Sequence, residues 1–301
     1  MQRENHPGPG LPYALGTYGI WGFLPLYLML VSTVPAMEFV GWRIIFTLPV
    51  CLLLVAVRRQ GAEVWRVLHD RRTMALLALT SMLIGGNWLV YIIAIQRDEV
   101  YAASLGYYIN PLVNVLIGAF FLKEQISRRQ WIAVGLAAIG VGMLFSGALT
   151  TLWISLALAC SFGLYGMVRK LAPVGALPGL TVESLILSLP ATAIVLWHAH
   201  SAPGSALAGD TSLAVMITMA GVITAVPLLM FATAARRMDY SALGFVQFLA
   251  PSIMFILGLT VFKEPLDQTQ LASFIAIWCA IGVFSWDLLA RRRQSKAARK
   301  A

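Results

Sequence analysis

Two stretches decide the fold of this chain: PLVNVLIGAFFLKEQISRRQ at residues 111–130 and PSIMFILGLTVFKEPLDQTQ at residues 251–270. Proline, glycine, the Lys-Glu pair and the final glutamine occupy the same positions in both, and the residues between them are largely apolar. Unrelated apolar segments share leucine, isoleucine and valine by chance, but they do not share this set of polar and turn-forming residues. The separation of 140 residues therefore indicates an internal duplication.

The composition of the 301-residue chain is typical of a membrane protein. Hydrophobic residues make up 59% and charged residues only 12%, and the mean hydropathy is +0.79. A soluble domain is about 45–50% apolar and about 25% charged. So few charged side chains cannot cover a surface that faces water, which favours a protein embedded in lipid.

Apolar runs of about 17–23 residues recur along the chain, which is the length that an α-helix needs to cross a hydrocarbon core of roughly 30 Å. A transmembrane β-barrel would show segments of about ten residues with strict alternation, and the stretch MALLALTSMLIGG (74–86) does not alternate. The sequence therefore predicts an all-α membrane protein with ten transmembrane helices. These lie near 13–32, 37–57, 74–95, 102–122, 131–148, 152–168, 181–200, 212–234, 241–262 and 271–290.

Lysine and arginine predict the orientation in the membrane. Nineteen of the 22 fall in segments that are cytoplasmic if the N-terminus is inside, including Arg169 and Lys170, whereas the outer loops hold only Arg97 and Lys263. This positive-inside bias places both termini in the cytoplasm. It also accounts for the net charge of +9 without a nucleic-acid partner, because the basic tail 291–301 suits anionic lipid.

The duplication matches the third to fifth predicted helices with the eighth to tenth. Each copy then has five helices, and an odd number turns the second copy upside down in the membrane. The Lys-Glu pair at 123–124 is then cytoplasmic and the pair at 263–264 external. Inverted repeats are typical of secondary transporters, in which a cavity near the midplane opens alternately to each side. The predicted segments are a cytoplasmic tail 1–12, a first repeat 13–148, a second repeat 151–290 and a basic tail 291–301.

Four stretches resemble one known family. They are NWLVYIIAI (87–95), ASLGYYINPLVNVLIGAFFLKEQISRRQWIAVGLAAIGV (103–141), SFGLYGMVRK (161–170) and PLLMFATAARR (227–237), of which the second is the most specific. Together they resemble the RarD branch of the EamA-type transporters, within the drug/metabolite transporter superfamily, and the resemblance extends over 13–290. It implies a carrier of the bacterial inner membrane with ten helices in two inverted repeats of five.

Polar residues inside the predicted helices are the candidates for substrate binding. Arg43 stands out because an arginine at hydrocarbon depth costs about 2.5–3.5 kcal/mol on insertion scales and so faces protein or water. It is expected either to bind an anionic group such as a carboxylate, or to clamp its helix to a neighbour. Trp88 belongs either to the same wall or to the lipid interface. The candidate substrate-binding residues are Arg43, Asn87, Trp88, Tyr91, Tyr107, Asn110, Asn114 and Gln247.

Two prolines and two carboxylates complete the candidate site. Pro111 and Pro251 lie in mid-helix, where proline frees the carbonyl four residues earlier. The two expected kinks either line a cavity or only shape helix packing. Glu38 and Glu183 are each placed at the start of a predicted helix, where a carboxylate either couples transport to protons or interacts favourably with the helix dipole.

The sequence thus predicts a secondary transporter of the bacterial inner membrane that moves a small metabolite or drug-like solute, with amino acids and carboxylates among the classes considered. A receptor or scaffold without transport is the alternative. A membrane-embedded enzyme is a further one, although it would need clustered His, Asp or Ser at one membrane face. The expected partners are a small-molecule substrate and the lipid bilayer.

No catalytic residue, cofactor or metal site is predicted. Three cysteines fall in different predicted helices and suit packing rather than disulfides. Alanines spaced four apart, such as Ala133 and Ala137, favour close helix contact within the chain over a homodimer, which stays open. The histidines that do not form a credible metal set are His6, His69, His198 and His200.

Overall fold

The computed structural model describes residues 10–97, 99–144, 152–201, 204–263 and 265–298, with only the backbone described at residue 289 and over 291–298. All regular secondary structure in this part is helical. The first half contains α1 (Leu11–Leu30), α2 (Ala36–Val57), α3 (Gly61–His69), α4 (Arg71–Gln96), α5 (Val100–Leu116), which continues as a π-helical turn (Ile117–Phe121), and α6 (Arg128–Met143). The second half contains α7 (Leu152–Leu171), α8 (Ala176–His200), a 3₁₀ turn (Ala206–Ala208), α9 (Thr211–Arg237), α10 (Tyr240–Gln247), α11 (Leu249–Thr260) and α12 (Gln268–Ala298).

Nine helical segments in the described residues are long and apolar enough to cross a membrane, which confirms the predicted all-α membrane architecture. Of the ten predicted spans, the one that is missing from this set corresponds to α6. At 16 residues it is shorter than the roughly 20 residues that span a bilayer. The predicted span near 131–148 continues into residues outside the described part, so the tenth span stays a prediction.

Two helices differ from their predicted bounds in a way that matters for the site. The helix α7 continues to Leu171, so Arg169 lies inside a helix rather than in a connecting segment. The helix α8 begins at Ala176 and not near 181. Pro178 does not prevent this earlier start, because it falls in the first turn, where proline is tolerated. Glu183 therefore lies about two turns inside α8 and not at its start.

Two further elements go beyond the sequence prediction. The short helix α3 lies in a segment predicted as a loop. Its charged residues hide the helical pattern in the sequence, although Val67 on one face of the helix is buried. The predicted span near 241–262 divides at Phe248 into α10 and α11. Proline has no N–H, so Pro251 leaves the carbonyl of Gln247 without its helical partner, which explains the position of the break.

Side-chain caps fix where several helices begin. Asp70 accepts backbone N–H groups of the first turn of α4, and Asp210 does the same for α9. The hydroxyl of Thr73 also donates to Asp70, and this hydrogen bond is the main reason why the pKa of Asp70 lies below its usual value. At α6, Ser127 and Gln130 form a reciprocal capping box.

The helix starts repeat at the spacing of the duplicated motif. The pairs α2 and α8, α4 and α9, α5 and α10, and α6 and α12 each begin 140 residues apart, and α1 and α7 begin 141 apart. Lys123 and Lys263, also 140 apart, have φ angles of 54° and 58°, in the left-handed region in which helices often end. The correspondence of α1 and α2 with α7 and α8 is clearer in the structure than in the sequence, because their side chains differ.

The helices α6 and α12 pack closely along a stripe of small residues. A Cβ atom on Gly140 would lie 2.8 Å from the carbonyl oxygen of Ser273, so only glycine permits this approach of the two backbones. Ala133, Ala137 and Ala280 are fully buried in the same apolar cluster. The small residues therefore join these helices within the chain, as their spacing predicts.

Candidate substrate cavity

A cavity of about 830 Å³ lies among the helices of both halves. This volume falls in the range of roughly 300–1,000 Å³ that small-molecule sites occupy. The lining is mostly apolar and rich in aromatic rings. The aromatic residues of the lining include Trp21, Trp88, Tyr91, Tyr107, Phe162 and Phe255.

The cavity extends to one end of the helix bundle, here called the open end. Its lining reaches Ser32 after α1, Tyr101 in the first turn of α5 and Gln270 in the first turn of α12. At the opposite end, here called the closed end, the turns at 122–127 and 172–175 contribute no described residue to the lining. The site is therefore accessible from one end of the bundle.

Arg43 is the one charged side chain among the described lining residues. Its Nε donates to Oγ1 of Thr224 at 3.2 Å, and its Cζ lies 4.6 Å from the centroid of the Trp88 ring. Within the described part, its two terminal nitrogens donate to no other residue and no carboxylate pairs with it. These nitrogens are therefore available to a ligand.

The helix α4 contributes one wall of the cavity through Asn87, Trp88 and Tyr91. The Nδ2 of Asn87 donates to the carbonyl of Leu158 and to the hydroxyl of Ser161, both at 2.9 Å, and so ties α4 to α7. Trp88 lies on this wall against the guanidinium of Arg43. The Tyr91 ring stands edge-on to the ring of Tyr107, with centroids 6.2 Å apart.

A buried network of amides forms another part of the wall. Oε1 of Gln247 accepts from Nδ2 of Asn114 at 2.6 Å and from the hydroxyl of Tyr18 at 3.2 Å. Nε2 of Gln247 donates to Oδ1 of Asn110 at 2.7 Å, and Asn110 donates to the carbonyl of Ala159. Asn110 and Gln247 line the cavity, whereas Asn114 lies behind them. The network links α5 of the first half to α7 and α10 of the second.

The two candidate prolines differ in their surroundings. The helix α5 runs unbroken through Pro111 and ends in the π-helical turn. By contrast, the helix that contains Pro251 is interrupted three residues earlier, at Phe248. Pro251 lines the cavity. The carbonyl oxygen of Pro111 instead faces α10, where a Cβ atom on Gly244 would lie 2.7 Å away. Pro111 therefore belongs to a close crossing of two helices rather than to the lining.

Glu38 is fully buried but does not line the cavity. Its Oε1 accepts from Nε1 of Trp42 at 3.0 Å, from the hydroxyl of Ser205 at 2.6 Å and from the backbone N–H of Ala206 at 2.9 Å. These contacts fasten the connection between α8 and α9 to the first turn of α2. The geometry favours a structural role for Glu38 over a role in ion coupling.

Glu183 lies directly behind the cavity wall. Its Oε1 is 3.6 Å from Nε of Arg169 and accepts from the hydroxyl of Thr80 at 2.5 Å. A small void next to Glu183 is also lined by Trp88 and Thr224, which contact Arg43 from the other side. The two charged groups thus share a wall, although only Arg43 reaches the cavity.

Arg169 is a residue of the site region that the sequence prediction misplaces. It is not a solvated cytoplasmic charge but a fully buried side chain in α7. Its Nη2 donates to the carbonyl of Ala176, and a Cβ atom on Gly179 would collide with Nη1, so the arginine depends on that glycine. Glu183 is the residue in the sequence that indicates a buried cation, because a carboxylate inside an apolar helix requires one nearby.

Glu124 connects the segment after α5 to the start of α10 at the closed end. Its two carboxylate oxygens accept the backbone N–H groups of Tyr240 at 2.6 Å and of Ser241 at 2.8 Å. These groups begin α10 and have no helical acceptors of their own. A Cβ atom on Gly118 would lie 2.6 Å from Oε2, so glycine leaves room for the carboxylate.

Lys170 makes a second contact at the closed end. Its Nζ donates to the carbonyls of Ala235 at 2.9 Å and of Met238 at 2.6 Å, at the end of α9. Arg236 donates in turn to the carbonyl of Ala172 at 3.0 Å. Together with Glu124, these side chains hold the turn between α9 and α10 against α7 and the end of α5.

The described residues contain no group of three or more His, Cys, Asp and Glu that could hold a metal ion. Cys51, Cys160 and Cys279 are free thiols. His69 and His198 contact backbone carbonyls of their own helices, as does His200. His6 lies outside the described residues.

Comparison with known proteins identifies the family. Residues 8–146 match the sequence model of the EamA-like transporter family. A protein RarD of Salmonella typhimurium is 41% identical over 293 residues, which cover 95% of this chain and 97% of that protein. The chain belongs to the RarD family of EamA-like transporters. A RarD protein of Streptomyces exfoliatus is 38% identical, over 100% of this chain and 96% of its own length.

Two further similarities agree with this assignment. An uncharacterized transporter of Vibrio cholerae is 40% identical over 97% of this chain and 96% of its own length. A crystal structure of a protein with 17% identity superposes with a TM-score of 0.73 and covers 94% of this chain and 98% of that one, which shows the fold alone. This member of the RarD family is therefore a multi-pass membrane transporter.

Proposed function

We propose that this chain is a secondary transporter that carries a small organic solute across the bacterial inner membrane by alternating access. The observation that carries the proposal is the cavity of about 830 Å³, which lies inside the bundle and, within the described residues, reaches only one end of it. A scaffold has no need of such an enclosed site, and a receptor has no need of two interchangeable halves around it. An enzyme would need reactive groups there, and no His, Cys, Asp, Glu or Lys of the described part lines the cavity.

Two inverted repeats, 13–148 and 151–290, are the moving parts in this proposal. Helix starts that recur at 140 residues, together with the duplicated Lys-Glu motif, support two units of similar structure. Five spans in each unit give them opposite orientations. Two such units can exchange conformations, and the closed end then becomes the open one. The contacts of Glu124 and Lys170 are the interactions that this exchange would break.

The orientation follows from the distribution of lysine and arginine. The positive-inside bias supports cytoplasmic N- and C-termini and a cytoplasmic closed end. The cavity of the present conformation then faces the outside. The candidate residues Arg43, Asn87, Trp88 and Tyr91, with Tyr107, Asn110 and Gln247, are the substrate-binding set of this proposal, and Asn114 supports them from behind.

The proposal is tested by counterflow in liposomes that contain the purified protein. Vesicles loaded with one unlabelled compound are given its labelled form, over a panel of organic acids, amino acids and aromatic drugs. We expect uptake of at least one class that is absent from protein-free vesicles. No uptake of any compound by folded protein would favour the receptor or scaffold.

A pair of matched variants shows whether uptake passes through the cavity. Ser104 lines the cavity and has an exposed side chain, so Ser104→Trp should block it without disturbing the core. Thr218 is exposed on α9 outside the lining, and Thr218→Trp adds the same bulk there. Uptake should be lost in the first variant and kept in the second. Equal uptake in both would contradict transport through this cavity.

A further inference from the structure

We infer that the cavity selects organic monoanions that carry an aromatic ring and rejects the corresponding amino acids. This inference rests on the proposed transport function and names its substrate class. It depends on three features of the described lining: one unpaired cation, the lack of any carboxylate, and aromatic rings that line the same cavity as the cation.

The charge of the lining favours an anion. Arg43 brings a positive charge into a cavity whose described lining offers no counter-ion. Its Nε is used by Thr224, so Nη1 and Nη2 can present two parallel N–H donors to a planar group. A carboxylate fits such a pair of donors, and charge-assisted hydrogen bonds of this kind are stronger than those between neutral groups.

An ammonium group finds no equivalent partner. The amide oxygens of Asn110 and Gln247 already accept two hydrogen bonds each within the network. Trp88 offers the aromatic face that best binds a cation, but the guanidinium of Arg43 already lies over it at 4.6 Å. An amino acid bound to Arg43 through its carboxylate would therefore place its ammonium group next to a like charge, with no carboxylate in the described lining to pair with it, which disfavours binding.

The rings of the lining favour an aromatic body. Tyr91 and Tyr107 stand edge-on to each other, and so do Trp21 and Phe162, with centroids 6.2 Å and 5.6 Å apart. Aromatic ligands gain from offset or edge-to-face contacts with such rings beyond the burial of their area. A ligand whose carboxylate binds Arg43 would place its ring among these side chains, because they line the same cavity.

The experiment compares compounds of one skeleton that differ in charge. Binding to the purified full chain in detergent is measured by titration calorimetry for 3-phenylpropionate, phenylalanine, 3-phenylpropanamide and phenethylamine, with 3-cyclohexylpropionate as the non-aromatic anion. We expect 3-phenylpropionate to bind at least about tenfold more tightly than the zwitterion, the amide and the amine. It should also bind more tightly than the cyclohexyl acid. Phenylalanine that binds as tightly as 3-phenylpropionate, or no binding of 3-phenylpropionate, would overturn the inference.

Two variants separate a local site from general attraction of anions. Arg43→Gln should abolish the preference for the anion over the amide. Arg97→Gln removes the same charge from an exposed position outside the lining, at the open end, and should leave the preference unchanged. A preference that survives in Arg43→Gln would also overturn the inference. Counterflow of amino acids but not of aromatic anions would refute the substrate class and leave the proposed transport intact, whereas loss of all counterflow would refute the transport itself.

Discussion

Arg169 and Glu183 form an ion pair in the interior of the bundle, with Nε of the arginine 3.6 Å from Oε1 of the glutamate and side-chain exposures of 0% and 2%. The hydroxyl of Thr80 donates to the same carboxylate, and the hydroxyl of Tyr165 lies 3.4 Å from its second oxygen. The pair therefore joins α7, α8 and α4 immediately behind the wall that carries Trp88. It is a structural support of the cavity.

Removing one partner of this pair should destabilise the protein more than removing both. Arg169→Met leaves a buried carboxylate without its cation, and Glu183→Leu leaves a buried guanidinium, each at a cost of about 3–5 kcal/mol. The double variant replaces both charges with apolar groups and should recover much of that loss. Thermal unfolding of the purified variants in detergent measures the effect. Additive losses in the double variant would show that the two residues are not coupled.

Glu38→Ala should weaken the fold without changing the driving ion of transport. The variant leaves Nε1 of Trp42 and the backbone N–H of Ala206 without their acceptor, and an unsatisfied buried donor costs about 1–3 kcal/mol. Ser205→Ala removes one donor to the same oxygen and the acceptor of the Leu207 N–H, but it leaves Trp42 and Ala206 paired with Glu38 and should cost less. Unfolding temperature and pH-gradient-driven uptake are measured together. A stable Glu38→Gln variant that no longer responds to the pH gradient would instead support a coupling role.

The parts of this architecture that sequence could predict are those with local signals. Arg43 could be singled out because a lone arginine in an apolar helix needs an explanation wherever that helix packs. The Ser127 and Gln130 capping box marks the start of α6 at Arg128, three residues before the predicted 131, and the duplicated Lys-Glu motif indicates where α5 and α11 end. These patterns involve residues that lie close together in the sequence, so they can be recognised without the tertiary structure.

Partners that come from distant helices could not be predicted. The Thr224 acceptor of Arg43 is 181 residues away, and the Thr80 donor to Glu183 is 103 residues away. Which side chains become buried depends on close contacts such as that of Gly179 with the guanidinium of Arg169, and a glycine in an apolar helix does not show what it faces. The burial of Arg169 was missed for this reason.

Cysteines at positions 123 and 263 should be labelled from opposite sides of the membrane. Both lysines are exposed and share the same left-handed backbone, so the two substitutions impose matched strain. Each variant is made in a background that lacks Cys51, Cys160 and Cys279, and oriented vesicles are treated with a membrane-impermeant maleimide. Labelling of both from one side would contradict the inverted repeats. Glu264, beside the second lysine, lies outside the described residues.

Arg43→Lys should lower substrate affinity by about tenfold while leaving the protein stable. Lysine keeps the charge but cannot present two parallel donors to a planar group, and one lost charge-assisted hydrogen bond of about 1.5 kcal/mol corresponds to roughly tenfold. Thr224→Val is the matched variant, because it removes the partner of Nε and keeps the guanidinium. If Arg43 served only as a clamp, both variants would lose stability and neither would lose affinity once folded.

The closed-end contacts should control which end of the cavity is open. Glu124→Gln and Lys170→Met each weaken charge-assisted hydrogen bonds to the turn between α9 and α10. A loss of about 1 kcal/mol shifts the ratio of two conformations by roughly fivefold. The variants should therefore favour the conformation in which the present open end is shut. A cysteine at position 104, which lines the cavity, reports this change through its rate of reaction with an impermeant maleimide added at the open end.

Arg128→Met provides the control for this measurement. Arg128 lies at the same end, is exposed, and makes no hydrogen bond or ion pair through its side chain to another described residue. Labelling at position 104 should slow in Glu124→Gln and Lys170→Met and keep the unmodified rate in Arg128→Met. If all three variants label at the unmodified rate, the contacts of Glu124 and Lys170 only stabilise the fold, and the exchange between the two ends must be governed elsewhere in the bundle.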